Sequence, residues 1–388
     1  MLRAYNYRLY PTPAQADFLN RSFGSCRWVY NWALQQKLEH YQREGKTLNC
    51  FALMKQLPAL KHEHEWLGRV NAQSLQQVVS HLDAAFNAFF KKSGGFPKFK
   101  SKHKSRASFS CPQACRVDFE NQTLSIPKCK GIRAVFSRIF EGTIKTVAIS
   151  RSKSGRYFAS VLVDDGKPLP TQAPVIANTS VGVDVGIKHF ATLSTGEKME
   201  NPKYLQQAQA RLKVLQRRLS RKQKGNANRD KARFRVARLH EHISNQRQDF
   251  LHQVSTRLIR ENQTVVVEDL NVAGMLKNHC LARAISDGGW AQFKAFLRYK
   301  CEWYGRNLIE IGRFEPSSKM CSCGVINSEL KLSDREWMCS SCGVLHDRDI
   351  LAANNIKRFG LIQRGTLAVS LLSSPDVTGC DEGGIPRL

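Results

Sequence analysis

Two short apolar runs, each carrying one acidic residue, constrain the fold of this chain most strongly. The first reads VGVDVG over residues 181–186 and the second TVVVEDL over 264–270. Because neighbouring residues of a strand point to opposite faces, Asp184 shares a face with two glycines, where a ligand or another backbone can come close. Glu268 ends the second run. An acid in a buried strand is costly unless it is paired or bound to a metal, so each acid alone could equally pair with an arginine or cap a helix.

A third acidic candidate precedes the last predicted helix, which we expect from about Asp349 to Phe359. Asp347 and Asp349 both stand in the motif HDRD, and either could be the N-cap. A carboxylate there lies at the positive end of a helix and stays ionised. Acids from two strands and a helix start could hold two Mg²⁺ ions, roughly 3.5–4 Å apart, for phosphodiester hydrolysis. Spacing alone does not establish such a site, but this order of acids in a basic chain favours it.

The charge of the chain predicts a polyanionic partner. The formal net charge is +28 over 388 residues, more than solubility requires, and nucleic acid is the leading candidate. An anionic membrane is the second. No apolar run approaches the roughly 18 residues of a membrane helix, and the start MLRAYNYRLYP has no apolar signal core. We therefore expect a cytoplasmic protein that does not act at a membrane.

The positive charge is concentrated in two segments. The stretch KKSGGFPKFKSKHKSR over 91–106 alternates lysines with phenylalanines, and residues 211–247 hold thirteen Lys or Arg against two acids. A solvated helix face normally mixes both signs, so both segments indicate contact with phosphates. The predicted backbone contacts are Lys98, Lys100, Lys102, Lys104, Arg217, Arg218, Arg221 and Lys222.

Four of the twelve cysteines form the pattern C-x-C-x15-C-x2-C, at Cys321, Cys323, Cys339 and Cys342. In a reducing compartment such a cluster is more typical of a metal site than of two disulfides. The second half is an ordinary zinc knuckle, whereas the first half is one residue shorter than usual. A C-x-C pair can still supply two thiolates, with more strain. We expect one structural Zn²⁺, and the alternative is a partly degenerate knuckle.

The order of predicted elements indicates several domains. A strand over 4–10 precedes a helical region to about Phe90, in which Leu75 to Phe89 supply one buried helix face; residues 107–165 then read as strands. A small β-barrel is plausible there, with the N-terminal strand as its first strand. After a Pro-rich linker over 166–178 come the two acid-bearing strands, a long helical stretch, and a helix with Trp290 to Tyr304 on one face.

Many motifs together resemble the TnpB family, transposon-encoded RNA-guided DNA nucleases related to the type V CRISPR effectors. They are RLYPTPAQ, GSCRWVYN, LDAAFNAFF with GGFPKFK, GVDVGIKHFATLS, LSRKQKG, NQRQDFLH, VVVEDLNVAGMLKNHCLARAISDGGW, PSSKMCSCG, REWMCSSCG and HDRDILAANNI. The resemblance implies an α+β multidomain fold. Its parts would be a wedge β-barrel (1–10 and 104–178), a helical recognition domain (11–103), a RuvC-like nuclease domain of RNase H type (179–310 and 345–365), a zinc ribbon (311–344) and a disordered tail (366–388).

The resemblance also implies an activity. A protein of this family binds a guide RNA from the end of the element, reads a short adjacent motif in double-stranded DNA, and cuts the DNA at a two-metal RuvC site. Carried over, Asp184, Glu268 and Asp349 match the catalytic, Mg²⁺-binding acids. Gln76 matches a residue that reads the adjacent motif, and Ser110 and Cys50 match its neighbours. We expect a monomer with one RNA.

Two departures from the family pattern qualify this reading. The family usually has asparagine where this chain has Leu351, which could weaken the positioning of Asp349 and slow cutting. The C-x-C half raises doubt about zinc binding. The alternatives are an RNA-guided DNA-binding repressor without cleavage and a DNA-binding accessory protein of transposition; the three intact acids favour the nuclease.

Overall fold

The computed structural model describes residues 1–331 and 333–367. They form two compact units, one from Met1 to Pro168 and one that begins at Leu169. The tail predicted to be disordered lies outside the described residues from 368 onward. Helices and strands occur in both units, which confirms the expected α+β class. None of the described helices combines the length and apolar character that crossing a membrane requires.

The first unit is a seven-stranded antiparallel sheet with helices between its first and second strands. Its elements are β1 (Leu2–Tyr10), α1 (Pro13–Glu44), α2 (Cys50–Glu63), α3 (Ala72–Phe90), β2 (Ala107–Cys111), β3 (Arg116–Asp118), β4 (Thr123–Ile126), β5 (Cys129–Val135), β6 (Thr143–Arg151) and β7 (Tyr157–Asp164), with a 3-10 helix over Glu65–Arg69.

The N-terminal strand lies inside this sheet. The hydrogen-bonded order is β2-β6-β7-β1-β5-β4-β3, so β1 is flanked by strands that come more than a hundred residues later. Tyr7 and Leu9 of β1 are buried in the core of the unit. The terminal amino group of Met1 pairs with Asp164 at 3.2 Å and Asp165 at 2.9 Å. The chain therefore leaves the sheet after Tyr10, forms three α-helices, and returns to it.

The buried face of α3 is shorter than the sequence predicted. Leu75, Val78, Val79 and Leu82 are buried, but Phe89 is 36% exposed. Near the end of α3 the helix leaves the core, and Phe89 instead packs edge-on against Phe96 with ring centroids 5.2 Å apart. The expectation of burial is therefore wrong at Phe89.

The second unit is built on a five-stranded mixed sheet. Its elements are β8 (Ser180–Val185), β9 (His189–Leu193), β10 (Lys198–Glu200), α4 (Tyr204–Gln207), α5 (Gln209–Ser220), α6 (Ala227–Glu261), β11 (Thr264–Glu268), α7 (Val272–Met275), α8 (Ala282–Gly288), α9 (Trp290–Tyr304), β12 (Asn307–Ile311), β13 (Glu336–Met338), β14 (Leu345–Asp347) and α10 (Arg348–Gln363), with a 3-10 turn over Ala177–Thr179.

The sheet order is β10-β9-β8-β11-β12, and β8, β11 and β12 are parallel. Side chains alternate between its two faces. Val181, Val183, Val265 and Val267 pack with residues of α6 and α9 on one face. Val266 of β11 packs with residues of β12 and α10 on the other. Tyr304, predicted to share a face of α9 with Trp290, is the last residue of that helix and is 50% exposed.

Helix α10 lies unusually close to the sheet because two glycines allow it. A Cβ atom on Gly182 would lie 2.0 Å from the carbonyl oxygen of Ala353, and one on Gly360 would lie 2.4 Å from Cγ1 of Val266. Asp184 is two residues after Gly182 on the same strand face, and Asp349 is one helical turn before Ala353. The start of α10 therefore lies at the end of β8 that carries Asp184.

We expect Gly182→Ala to destabilise the second unit by about 1–3 kcal/mol, because the new methyl group would push α10 away from the sheet. Gly24→Ala in α1 is the matched control: its Cβ would meet nothing within 4 Å, and alanine favours a helix by up to about 1 kcal/mol. Urea unfolding of each variant measures both changes. A Gly182→Ala protein as stable as the parent would contradict the close packing.

Candidate active site and metal centre

Three acids come together at the carboxyl edge of the second sheet. Asp184 is the last but one residue of β8, Glu268 is the last residue of β11, and Asp349 is the second residue of α10. Parallel strands end at the same edge of a sheet, so β8 and β11 deliver their acids side by side. The arrangement joins residues that are 84 and 81 positions apart along the chain.

Charge interactions at the site indicate that the three carboxyl groups lie near one another. Burial raises the pKa of Asp184 well above its ordinary value, and the negative charges of Glu268 and Asp349 raise it further. Arg348 acts in the opposite direction. Like charges held this close disfavour full ionisation unless a cation is present, and carboxylate oxygens are the ligands that Mg²⁺ prefers. The donor set therefore fits a hard divalent cation.

The structure separates the roles of the two aspartates in HDRD, which the sequence left open. Asp347 is the N-cap of α10, where its Oδ1 accepts hydrogen bonds from the amides of Asp349 at 3.0 Å and Ile350 at 3.1 Å. Its Oδ2 pairs with Lys198 Nζ at 2.5 Å. Burial acts to raise the pKa of Asp347, but Lys198 and the helix amides together hold that pKa below its ordinary value.

The carboxylate of Asp349 has fewer polar partners than that of Asp347. The cation paired with it is Arg335, whose Nη1 lies 3.8 Å from Oδ1, at the outer limit of an ion pair. Asp349 also lies in the first turn of α10, where the helix dipole favours a negative charge. Of the two aspartates, Asp349 is therefore the one placed to bind a ligand.

Ser317 and Asn355 are site residues that sequence reasoning missed. Ser317 Oγ donates a hydrogen bond to Glu268 Oε1 at 2.5 Å. Asn355, in α10, donates from Nδ2 to the carbonyl oxygens of Ser317 and Met320, both at 2.7 Å. Their only sequence signal is that they stand within the motifs PSSKMCSCG and HDRDILAANNI; nothing local shows that Ser317 meets Glu268 or that Asn355 meets Ser317.

The four predicted cysteine ligands form one cluster. Their sulfurs all lie within 4.8 Å of one another, with Cys321 and Cys342 at 3.5 Å and Cys323 and Cys339 at 3.6 Å. A tetrahedral zinc site with Zn–S bonds of about 2.3 Å places its sulfurs about 3.8 Å apart. The cluster can therefore hold a structural metal such as zinc, and the short C-x-C half takes part in it.

The surroundings of Cys339 favour a thiolate, whereas burial raises the pKa of Cys321 to about 12. Backbone amides, that of Cys342 first and then that of Ser341, lower the pKa of Cys339 to about 6 against the effect of burial. His346, also missed by the sequence analysis, places Nε2 3.0 Å from the sulfur of Cys321. Burial lowers the pKa of His346, so the ring is neutral and can donate a hydrogen bond to that sulfur.

Leu351, the departure from the family pattern, lies against this cluster. Its side chain is buried with Cys321, Leu330, Trp337 and Cys339 in one apolar group. An asparagine at this position would place its amide among those side chains. The effect of Leu351 on cutting stays a prediction.

The three predicted motif-reading residues lie on neighbouring elements of the first unit. Gln76 is exposed on α3. Cys50, the first residue of α2, contacts α3 through Ser80, with Sγ and Oγ 3.9 Å apart. Ser110 lies half-buried on β2, and β2 contacts α3 where Cys111 Sγ is 3.5 Å from an α3 serine hydroxyl.

The helices α5 and α6 form a strongly basic cleft of about 510 Å³. Among the described residues, its lining includes five cations and no acid. The lining residues are Leu215, Arg218, Arg221, Lys222, Asn228, Lys231, Ala232 and Arg235. Arg229 holds the turn between the helices, because its Nη1 donates to the carbonyl oxygens of Leu219 at 3.1 Å and Lys222 at 2.5 Å. Arg217 is exposed on α5.

The predicted lysines of the first unit, Lys98, Lys100, Lys102 and Lys104, are all exposed. Lys100 differs from the other three in that its ammonium lies 3.7 Å from the centre of the Tyr30 ring. Burial lowers the pKa of Lys100. This lysine is therefore committed in part to a cation–π contact within the unit.

Three sequence families match parts of the chain: residues 1–46 match a helix-turn-helix domain, 160–279 a probable transposase, and 290–356 a Cas12f1-like TNB domain. Within 1–46 the structure has β1 and one continuous helix, α1. The TNB match includes all four clustered cysteines.

Relatives match nearly end to end. A protein of Streptomyces pristinaespiralis named "Putative RNA-guided DNA endonuclease" is 46% identical over 366 residues, covering 92% of this chain and 89% of the relative. InsQ of Escherichia coli (strain K12), with the same description, is 32% identical over 376 residues and 92% of each chain. Among solved structures, a Cas12f1–sgRNA–target DNA complex matches with a TM-score of 0.56 and 15% identity, covering 89% of this chain and 83% of that one; that likeness concerns the fold alone.

We expect Asp184→Asn to raise the melting temperature in buffer without divalent cations, by about 2–4 °C. Because the pKa of Asp184 is raised on folding, its charge destabilises the folded state, and stability falls as pH rises through that pKa. Asp347→Asn is the matched control with the opposite sign: its lowered pKa stabilises the folded state at neutral pH, and this stabilisation is lost as pH falls. Thermal melts at several pH values measure both, and an Asp184→Asn protein that melts below the parent would contradict the crowding of charge.

Proposed function

This chain belongs to the TnpB family of RNA-guided DNA endonucleases. We therefore propose that it uses a guide RNA to bind matching double-stranded DNA, and that Asp184, Glu268 and Asp349 form the catalytic site that cuts this DNA. The observation that carries this proposal is the convergence of these three acids at one sheet edge, where the charges of Glu268 and Asp349 act on Asp184.

Asp184, Glu268 and Asp349 would hold two Mg²⁺ ions. When bound, such a pair activates a water molecule and stabilises the leaving oxygen of a phosphodiester. The residues of the chain have separate tasks. Asp347 caps α10 and so sets the position of Asp349, while Ser317 holds one oxygen of Glu268. Arg348 limits the rise in the pKa of Asp184, which favours the ionised form that a cation requires.

We also propose that Cys321, Cys323, Cys339 and Cys342 hold one structural Zn²⁺. Four sulfurs within 4.8 Å and the lowered pKa of Cys339 support it. The metal would fold the segment between β12 and α10, so it contributes to stability and not to the chemical step. One zinc per chain by elemental analysis is the expected result, and its absence from fresh protein would contradict the assignment.

Reading of the adjacent motif by Gln76 is supported by its exposure on α3, since a glutamine can make two hydrogen bonds to adenine in the major groove. Gln76→Ala should change the motif preference in a plasmid-library depletion assay while RNA binding stays intact. The roles of Ser110 and Cys50, and a stoichiometry of one protein per RNA, stay predictions.

We expect Asp184→Ala, Glu268→Ala and Asp349→Ala each to abolish cleavage of a plasmid with a matched target, while guided DNA binding changes less than about twofold. The phosphate contacts are made elsewhere, so binding does not require the acids. Asp347→Asn is the matched control, because asparagine is as good an N-cap as aspartate, and it should keep cutting. Gel assays of cleavage and binding measure both properties.

The same assays separate the competing functions. A parent protein that binds its matched target through RNA and leaves it uncut in Mg²⁺ would be a guided repressor. Binding to DNA without any copurifying RNA would indicate an accessory protein of transposition. Sequencing of the RNA that copurifies with the expressed protein identifies the guide.

We expect alanine at Arg218, Arg221 and Lys222 to weaken nucleic-acid binding alike for matched and unmatched sequences. Each lost phosphate contact should reduce the slope of log affinity against log salt concentration by about 0.7–0.9, so the slope should fall by about 2–3. Arg257→Ala in α6 is the control, since Arg257 already pairs with Glu197 at 2.6 Å and Glu261 at 3.0 Å. Filter binding at several salt concentrations tests this; equal slopes for the triple variant and the parent would count against the cleft.

A further inference from the structure

The segment 316–320, which we name the ribbon stem, leads from β12 to the first clustered cysteine and passes the catalytic edge of the sheet. Within it, Ser317 is 7% exposed and donates a hydrogen bond from Oγ to Glu268 Oε1 at 2.5 Å. A hydroxyl that donates to a carboxylate makes a short, charge-assisted hydrogen bond, about twice as strong as a neutral one. The contact therefore restricts the rotation of the Glu268 carboxylate.

The ribbon stem is itself held by α10. Asn355, 3% exposed, uses both hydrogens of its Nδ2 for the carbonyl oxygens of Ser317 and Met320, at 2.7 Å each. Arg358, one turn further along, donates from Nη1 to the carbonyl oxygen of Ser322 at 3.2 Å. Removal of the Asn355 amide would leave buried carbonyls without a donor, at a cost of about 1–3 kcal/mol. The position of Ser317 is therefore set by the helix that also carries Asp349.

We propose that Ser317 is a positioning residue for Glu268, held in place by Asn355, and that this pair sets the affinity of the three acids for divalent cations. The inference rests on the proposed catalytic role of Glu268. One oxygen of its carboxylate accepts from Ser317, and the other is left to face a metal. A ligand whose orientation is fixed in advance loses less rotational freedom on binding a cation, and removal of such a supporting hydrogen bond weakens metal binding by about 10–100-fold.

In this arrangement, the single helix α10 has several roles at the acidic site. Asp347 caps its N-terminus, Asp349 lies in its first turn, Asn355 lies in its middle, and Gly360 makes its close contact with β11. A single helix therefore supplies one metal ligand directly and orients a second through the ribbon stem. The ribbon stem is held against the sheet and α10 because its Met320 packs with Val266, Ile309 and Ile356 in one apolar cluster.

The test compares Ser317→Ala with Ser318→Ala and Ser317→Thr in the complex of the full chain with its RNA. Ser318 is the matched control, because it is the neighbouring serine and the hydrogen bond to Glu268 comes from Ser317. Threonine keeps the hydroxyl and should rescue. The first readout is the Mg²⁺ concentration that gives half-maximal cleavage, expected to rise about tenfold in Ser317→Ala and to stay within about twofold in the other two.

The second readout does not depend on cutting. Bound Mn²⁺ is measured by electron paramagnetic resonance, and the part specific to the site is the difference from Asp184→Ala. We expect the site-specific Mn²⁺ to bind about tenfold more weakly in Ser317→Ala, with guided DNA binding and zinc content unchanged. Loss of zinc or of thermal stability with unaltered Mn²⁺ affinity would overturn the positioning role in favour of a purely structural one, as would an unaltered affinity with both preserved.

The two proposals fail in distinguishable ways. A parent protein that does not cut, but whose Mn²⁺ affinity falls in Ser317→Ala and not in Ser318→Ala, would contradict the nuclease and support the positioning. A parent that cuts, with a Ser317→Ala variant of the same Mg²⁺ and Mn²⁺ dependence, would support the nuclease and overturn the positioning.

Discussion

The close approach of α10 to its sheet is the constraint on which the second unit depends. At Gly182 and Gly360 no side chain separates the helix from the strands, and a Cβ at either position would overlap its neighbour. At this spacing the start of α10 reaches the end of β8, so Asp349 meets Asp184. The same helix then carries Asn355 to the ribbon stem. A helix held even one methyl group further away would separate Asp349 from Asp184.

The cations of the second unit form two groups with different roles. Lys294, Arg298 and Arg313 near the sheet are paired with acids; Lys294, for example, lies 2.8 Å from Asp269 and 2.7 Å from Glu310. The cations that line the cleft between α5 and α6 face one another with no acid among the described lining residues. Paired cations consolidate the fold, whereas an unbalanced group repels itself and is stabilised by a polyanion. The net charge of the chain therefore identifies its partner mainly through this second group.

The cysteine cluster and the acidic site offer opposite donor chemistry in one stretch of chain. Soft thiolates favour zinc and carboxylates favour magnesium, so the two ions would not compete for each other's ligands. The ribbon stem, Asp347 and α10 connect the two sites within about forty residues.

The sequence alone was sufficient for several local features, whereas the catalytic role of the three acids stays a prediction. Strand alternation put Asp184 opposite the core valines, the cysteine spacing marked the four sulfurs, and the motifs indicated the family and the α+β class. It could not decide between Asp347 and Asp349 as the helix cap, since both stand beside the same helix and only Asp347 reaches the free amides of Asp349 and Ile350. It also misjudged Phe89, because periodicity describes a helix face but not where the neighbouring core ends.

Tertiary structure decided everything that depends on contact between distant segments. The hydrogen bond from Ser317 to Glu268 spans 49 residues, and that from Asn355 to Ser317 spans 38. In the sequence, nothing near Ser317 or Asn355 distinguishes either residue from a surface polar residue. The short C-x-C half looked defective in sequence, yet its sulfurs complete the cluster because the second knuckle and His346 are brought to it by folding. A one-dimensional pattern records periodicity and spacing, whereas a site of this kind is defined by distances of a few ångströms between residues that are far apart along the chain.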